Sequence, residues 1–130
     1  MSEVPPPVSW PYSYSVEIPP SGAARLTDIS EQLAELYGYE HAELLEPLAW
    51  ERLVPDDVER MREVVQHFLS GGDHWEGRVR IRTRDGAQMV VESHIEAVAH
   101  TPEAVHLSAR VRDVTEQALL EDKLKEREAR

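Results

Sequence analysis

The sequence contains no cysteine among its 130 residues. Disulfide bonds, zinc–thiolate sites, iron–sulfur clusters and a covalent cysteinyl-flavin adduct all need a cysteine sulfur, so each of them is excluded for this chain. A chain without cysteine is also typical of a reducing compartment, and we therefore expect a cytoplasmic protein.

Long apolar runs are missing as well. No stretch approaches the roughly 18 residues that a membrane-spanning helix requires, and we expect no signal peptide, because no basic segment followed by an apolar one occurs near the N-terminus. The 25 acidic residues outnumber the 14 basic ones and give a net charge of −11. Because such a surface repels nucleic acid and anionic lipid, we predict neither nucleic acid nor membrane as a partner.

Familiar catalytic fingerprints do not occur in the sequence. It has no Gly-x-Ser-x-Gly elbow, no phosphate-binding P-loop and no dinucleotide fingerprint. The adjacent carboxylates Asp56 and Asp57 open a predicted helix, where capping and the helix dipole explain them. We therefore predict no catalytic residues and no enzyme, with a small α+β enzyme carrying a pocket acid or base as the alternative from another class.

The six histidines do not form a recognisable metal-binding pattern. No two of them have a ligand spacing that would place both on one face of a single element, so we predict no metal site. Strand alternation places His94 and His106 on the outer side of a predicted sheet.

What the chain does contain is a long region of regularly alternating apolar and polar residues. Alternation with a period of two predicts strands with one buried and one solvated face. The turn sequences Arg84-Asp85-Gly86 and Thr101-Pro102-Glu103 separate the runs, which predicts an antiparallel meander. The three alternating runs are 75–83, 89–100 and 105–112.

The outward positions of this meander alternate in charge from strand to strand. Acidic Glu92 and Glu96 lie on the middle run, and arginines lie on both neighbours. We expect cross-strand ion pairs contributing about 0.2–1 kcal/mol each. The face is interpreted as solvated, with a dimer or helix-docking face as the alternative. The arginines are Arg78, Arg80, Arg82, Arg110 and Arg112.

The first half of the chain changes period after a hairpin. Residues 12–18 alternate and predict a strand, and 24–27 can pair back on it across a Pro-Pro-Ser-Gly turn. Helical spacing follows, and the longest helix is predicted from Pro55 to about Leu69 with one apolar stripe. The shorter helices are predicted at 30–36, 40–45 and 48–54. Trp10 is expected to dock on the domain.

Helical spacing returns at the C-terminal end. Gln117, Leu120, Leu124 and Arg127 recur at intervals of three and four residues. The two leucines at this spacing cannot hold an isolated helix in water. We expect Leu120 and Leu124 to pair with a partner, either the same helix in a parallel homodimer or a continuation of the chain.

Five short motifs follow one another along the chain. They are Leu36-Tyr37-Gly38-Tyr39 with Glu43-Leu44-Leu45, Leu53-Val54-Pro55-Asp56-Asp57, Trp75-Glu76-Gly77, Arg84-Asp85-Gly86 and Asp113-Val114-Thr115-Glu116. Together with the element order, these motifs resemble the PAS domain over residues 12–116. One departure is Val54, which stands where the family commonly has histidine. The resemblance implies an α+β fold: a five-stranded antiparallel sheet of order 2-1-5-4-3, short helices and one longer helix on one face, plus a C-terminal linker helix.

The same resemblance implies a division of the chain and a function. Residues 1–11 would be a Pro-rich N-terminal lead-in, 12–115 the PAS domain, and 116–130 the start of a C-terminal signalling coiled-coil helix. The function implied is a sensory and dimerisation module of a signal-transduction protein such as a histidine kinase or cyclase. We expect a homodimer and a downstream output domain in the same longer chain. The alternative is a ligand-free scaffold used only for protein–protein docking.

By the same resemblance, Asp113 and Thr115 form the signal exit into the linker helix; they are alternatively only the local caps of that helix. A pocket would lie between the buried sheet face and the long helix. Ser93 is the one polar residue on the buried face of the central strand, and we expect it to bond to a neighbouring backbone carbonyl or to a ligand. The expected lining is Trp50, Met61, Val65, Phe68, Val91, Ser93, Ile95 and Leu107. No cofactor is evident: haem-binding relatives place a histidine inside the pocket and none maps there, while an unknown small molecule remains open.

Overall fold

The computed structural model describes residues 10–128. Its strands form one antiparallel sheet in the order β2-β1-β5-β4-β3. The predicted α+β class and the strand order 2-1-5-4-3 are thereby confirmed. The elements are β1 Tyr12–Ile18, β2 Arg25–Ile29, α1 Glu31–Tyr37, α2 His41–Leu44, α3 Trp50–Leu53, α4 Val58–Leu69, β3 His74–Arg82, β4 Gln88–His100, β5 Val105–Asp113 and α5 Thr115–Glu128.

The meander forms because its apolar positions share one face, which we call the inner face. Val79 pairs with Val91 between β3 and β4, and Ile95 pairs with Ala109 between β4 and β5. All four side chains are buried. β5 also pairs with β1 along its length, so the first and last strands lie side by side at the centre of the sheet. The opposite surface is the outer face.

One irregularity of β4 was not predicted. The register between β4 and β5 shifts between Ala97 and Ala99, which is a β-bulge. Val98 is left 63% exposed at this point. A bulge inserts one residue into a strand, so simple alternation cannot continue through it.

The helices cover the inner face, and their boundaries follow local chemistry. Helix α1 follows Ser30 and ends at Gly38, whose φ of 85° allows its N–H to bond to the carbonyls of Ala34 and Glu35. Helix α4 begins at Val58 rather than Pro55, because residues 54–57 form a turn closed by a 2.9 Å bond from the Asp57 N–H to the Val54 carbonyl.

The core lies between the inner face and α1–α4. Leu33 and Phe68 are fully buried on helices and Ile18 on β1, so both sides of the interface contribute large apolar groups that are removed from water. The predicted lead-in at 1–11 lies outside the described residues except for its last two, as do the final two residues of the predicted linker. Among residues 10–128, no helix combines the length and apolar composition needed to cross a bilayer.

Candidate functional site

A cavity of about 100 Å³ lies between the inner face and helices α3 and α4. Each of the eight residues proposed as pocket lining belongs to its wall, and their role in ligand binding stays a prediction. Sequence reasoning left out much of the remaining wall. Tyr14 could have been found, because it alternates in phase with Val16 and Ile18 on β1. The further lining residues are Tyr14, Val16, Ile18, Ala24, Leu26, Ile29, Leu33, Tyr37, Leu53, Val54, Val64, Val79 and Ile81.

The cavity wall is apolar apart from a few polar side-chain groups, which have polar neighbours within the protein. The indole N–H of Trp50 donates to the Ala24 carbonyl at 2.8 Å. Burial raises the pKa of Tyr14 to about 12, and a side-chain hydrogen bond with Ser93 offsets part of this rise. The Ser93 side chain therefore lies beside the Tyr14 phenol, a neighbour that the sequence analysis did not consider. Burial also raises the pKa of the Tyr37 phenol well above its ordinary value.

The size and composition of the cavity limit what it can hold. An engineered apolar cavity of about 150 Å³ stays dry and binds benzene or xenon. The cavity here is smaller, at about 100 Å³, and offers contact with apolar side chains plus the Tyr14–Ser93 hydroxyl pair. A compact apolar molecule is the kind of ligand that these dimensions fit.

The predicted exit residues connect α5 to the sheet by defined hydrogen bonds. The Asp113 carboxylate accepts the Thr115 N–H at 2.9 Å and the Thr115 hydroxyl at 2.6 Å. The Thr115 hydroxyl oxygen in turn accepts the Val90 N–H of β4 at 3.0 Å, and the Val114 N–H donates to the Val90 carbonyl at 2.9 Å. Asp113 is therefore a local cap, and Thr115 also fastens the start of α5 to β4.

A second connection joins α5 to the outer face further along the helix. Both terminal nitrogens of Arg78 donate to the Glu121 carboxylate, at 2.8 and 3.1 Å. The guanidinium of Arg78 lowers the pKa of Glu121. Arg78 lies opposite Glu92 in the sheet register, but Glu92 binds Arg112 at 2.6 Å instead.

The expected charge pattern of the outer face is therefore only partly observed. The Glu92–Arg112 pair across β4 and β5 is confirmed. The other cross-strand pairs are wrong: within residues 10–128, Glu96 and Arg110 form no ion pair, and Arg80 and Arg82 bind aspartates instead. β3 is an edge strand, so its long arginine side chains reach past the edge of the sheet.

These aspartates close the free edge of β3. The Asp57 carboxylate accepts the Arg80 backbone N–H at 2.6 Å and the Arg80 guanidinium at 2.7 Å. Asp56 binds Arg82 at 2.8 Å. The hydrogen bond from Arg80 is the main cause of the lowered pKa of Asp57. The capping explanation for Asp57 is wrong, since this N-cap residue makes no side-chain bond to its helix. Its carboxylate instead satisfies a backbone N–H on the unpaired edge of β3.

The predicted helix residues Leu120 and Leu124 are exposed, at 60% and 56%. Leu119 is exposed as well and was missed, because it lies one position off the three/four spacing. Helix α5 therefore presents unburied leucines on its surface: Leu119 and Leu120 lie between the attachments at Thr115 and Glu121, and Leu124 lies beyond them.

The outer face also gathers a cluster that sequence reasoning did not find: His74, Glu76 and His94. Glu76 Oε2 lies 3.0 Å from His94 Nε2 and 3.8 Å from His74 Nε2. Trp10 lies against it, with ring centroids 4.5 Å from His94, so the expected docking of Trp10 takes place on the outer face. The signal that could have found the cluster is the strand register, which pairs Glu76 with His94.

Comparison with known proteins gives a consistent family. The profile described as PAS fold matches residues 26–118. No curated protein matches this chain in sequence.

Several solved structures are similar to the chain. A sensory box histidine kinase/response regulator from Burkholderia thailandensis superposes with a TM-score of 0.66 and 24% identity, over 90% of this chain and 88% of that chain. The N-terminal domain of a diguanylate cyclase with PAS/PAC sensor from Marinobacter aquaeolei gives 0.62 and 19%, over 82% and 98%. A LOV protein from Rhodobacter sphaeroides gives 0.61 and 12%, over 81% and 64%.

Proposed function

This chain belongs to the PAS fold family, and from that premise we propose that it is a sensory module of a signal-transduction protein. One observation carries the proposal: strand β4 contributes Val91, Ser93 and Ile95 to the cavity wall, while the backbone of its Val90 holds the start of α5. A change in the cavity therefore has a short route to the helix that leaves the domain, along the β4 backbone and across the hydrogen bonds of Val90. Structures named as parts of a sensory histidine kinase and of a diguanylate cyclase share this fold.

In this proposal β4 is the element that responds to the ligand. Val91 of the wall is the neighbour of Val90, and Ser93 lies three residues from it. Because a strand rises about 3.3 Å per residue, Ser93 and the exit are about 10 Å apart along one strand. A ligand that displaces the inner side chains of β4 alters the position of Val90. The bonds from Val90 to Val114 and Thr115 then transfer the displacement to the first turn of α5.

The proposed sensor acts as a homodimer through α5. The exposed leucines of this helix are the apolar groups that a second copy would bury, and a helix with so few apolar contacts gains stability from a partner. Parallel pairing would bring the two exits side by side, and an output domain following in the longer chain would receive the change.

The proposed ligand is a compact apolar molecule rather than haem or flavin. The cavity holds about 100 Å³, and among the described residues that line it none is a histidine. The chain has no cysteine to form a flavin adduct. The Tyr14–Ser93 pair is the polar feature that such a ligand would contact.

Thermal unfolding with a small apolar probe tests this proposal. Benzene is expected to raise the Tm of the wild-type protein, because a ligand that binds only the folded state stabilises it. The variant Val65→Phe, which fills the cavity from α4, should lose this response. An equal rise in both proteins, or no rise in either, would contradict a ligand-binding cavity.

A ligand-free docking scaffold is the second candidate, and the small volume of the cavity is the observation that favours it. Native mass spectrometry of the purified protein separates the two functions. A co-purified small molecule supports sensing, whereas a dimer that carries no ligand and shows no response to benzene supports the scaffold.

A further inference from the structure

The cluster of His74, Glu76 and His94 has the composition of a metal site. One ligand atom from each residue can be chosen so that all three lie within 4.8 Å of one another. Two of the residues lie on β3 and the third on β4, where Glu76 and His94 are direct register partners. The antiparallel pairing therefore fixes the approach of the three side chains.

The two distances from the Glu76 carboxylate to the histidine nitrogens are close to those of one tetrahedral ion. Zn²⁺ binds imidazole nitrogen at about 2.0–2.1 Å and carboxylate oxygen at about 2.0–2.2 Å, which places two donors about 3.3–3.5 Å apart. The distances from Glu76 Oε2 to His94 Nε2 and His74 Nε2 are 3.0 and 3.8 Å. They lie on either side of the tetrahedral value. The three ligand atoms lie within 4.8 Å of one another, so side-chain rotations that draw the two imidazoles together would bring them to one ion.

The surroundings of the cluster restrict two of its three members. The Trp10 ring contacts the His94 imidazole. The Arg112 guanidinium lies 4.9 Å from the centre of the Trp10 ring and also binds Glu92. The imidazole of His67 lies 2.9 Å from the carbonyl oxygen of His74 and holds the start of β3. Neighbours thus contact the His94 ring and hold the His74 backbone, while the exposed side of the cluster leaves room for water as a fourth ligand.

We propose that His74, Glu76 and His94 form a Zn²⁺ site on the outer face. Two neutral imidazoles and one carboxylate are donors that suit Zn²⁺. The site lies on the surface opposite the cavity and does not depend on the proposed sensory function. Its ion would join the edge strand β3 to β4 at the end of the sheet where Trp10 docks.

Isothermal titration of the untagged, chelator-treated protein with ZnCl₂ at neutral pH tests the site. Loss of a group that merely orients a metal ligand typically weakens binding about 10–100-fold. Each of His74→Gln, Glu76→Gln and His94→Gln, which removes a ligand itself, is therefore expected to weaken Zn²⁺ binding at least about tenfold. The side chains are exposed or half-buried, and circular dichroism should show that each variant folds.

His100→Gln is the matched control. His100 also faces a carboxylate, Asp73, at 3.6 Å, but it lies outside the cluster. This variant should bind Zn²⁺ as the wild type does. In the wild type, Zn²⁺ should also shift the imidazole nitrogen resonances of His74 and His94 and leave those of His100 in place. No binding by the wild type at millimolar Zn²⁺, or unchanged affinity in His94→Gln, would overturn the proposal.

Discussion

The two faces of the sheet are stabilised by different kinds of interaction. The inner face is fixed by apolar packing against the helices, and Phe68 and Val111 there are fully buried. The outer face is fixed by specific polar contacts, such as Arg78 to Glu121 and Arg112 to Glu92. Burial of apolar area is non-directional, whereas each ionic contact needs one particular partner. The inner face therefore determines the fold, and the outer face determines which neighbouring segments, such as α5, bind to the sheet.

The largest expected effect is on the inner side. Phe68→Ala should destabilise the protein by about 3–5 kcal/mol, because a fully buried aromatic side chain leaves a cavity. Urea unfolding measures this loss. Val98→Ala, at a site that is 63% exposed, should change the stability by less than about 0.5 kcal/mol. Similar losses for the two variants would remove the distinction between the faces.

The edge of β3 should give the next largest effect. Asp57→Asn weakens the bonds to Arg80, and we expect a loss of about 1–3 kcal/mol in stability, since the Arg80 N–H and guanidinium lose a charged acceptor that is itself buried. Asp56→Asn is the control, because Asp56 is more exposed, and its effect should be smaller.

The pH dependence of stability gives a further test of Asp57. Its pKa is lowered in the folded state, so its contribution is complete above the unfolded value of about 3.9. The contribution is lost as the pH falls from there through the lowered folded pKa. Urea unfolding as a function of pH should show a shallower acid loss in Asp57→Asn than in the wild type. If the free energy of unfolding fell equally with decreasing pH in the two proteins, the Arg80 contact would not stabilise the fold.

On the outer side, the exposed leucines of α5 test whether that surface is used for association. Leu120→Asp should weaken the proposed dimer at least about tenfold, since a charge replaces a buried contact. Sedimentation velocity measures the change, with the exposed residue Lys123 changed to Ala as the control. The same monomer in wild type and both variants would argue that α5 does not pair.

The smallest effect is expected at the connection between β3 and α5. Arg78→Gln should leave global unfolding almost unchanged, because exposed ion pairs contribute little. Hydrogen exchange should nevertheless become faster in residues 116–124, as the helix loses its second attachment. Arg110→Gln, which removes an outer-face arginine without an ion pair among the described residues, should leave this exchange as it is.

The two faces also differed in how far the sequence could predict them. Alternation and the apolar stripe of α4 identified the inner face and eight residues of the cavity wall, since burial follows directly from a period of two or 3.6. The outer face depended on register and on the position of β3 at the edge. Arg80 turned to Asp57 and Arg78 to Glu121 because partners from distant segments lie there, and no local pattern encodes them.

At the exit, the sequence predicted the local contact but not the long-range one. The resemblance identified Asp113 and Thr115, and the cap between them is local in sequence. The bond from Val90 to Thr115 joins residues 25 positions apart, so it could be known only once β4 and β5 were placed in register. The bulge at Val98 and the cluster at Glu76 were missed for the same reason.

In the proposed sensor, a change in the cavity under the inner face reaches α5 through β4. Amide NMR during a titration with benzene follows this route residue by residue. We expect the signals of Ser93, Val90 and Thr115 to shift together with one apparent Kd, and we expect Thr115→Val to separate α5 from the response. Saturation at Ser93 with no shift at Thr115 or beyond would contradict it.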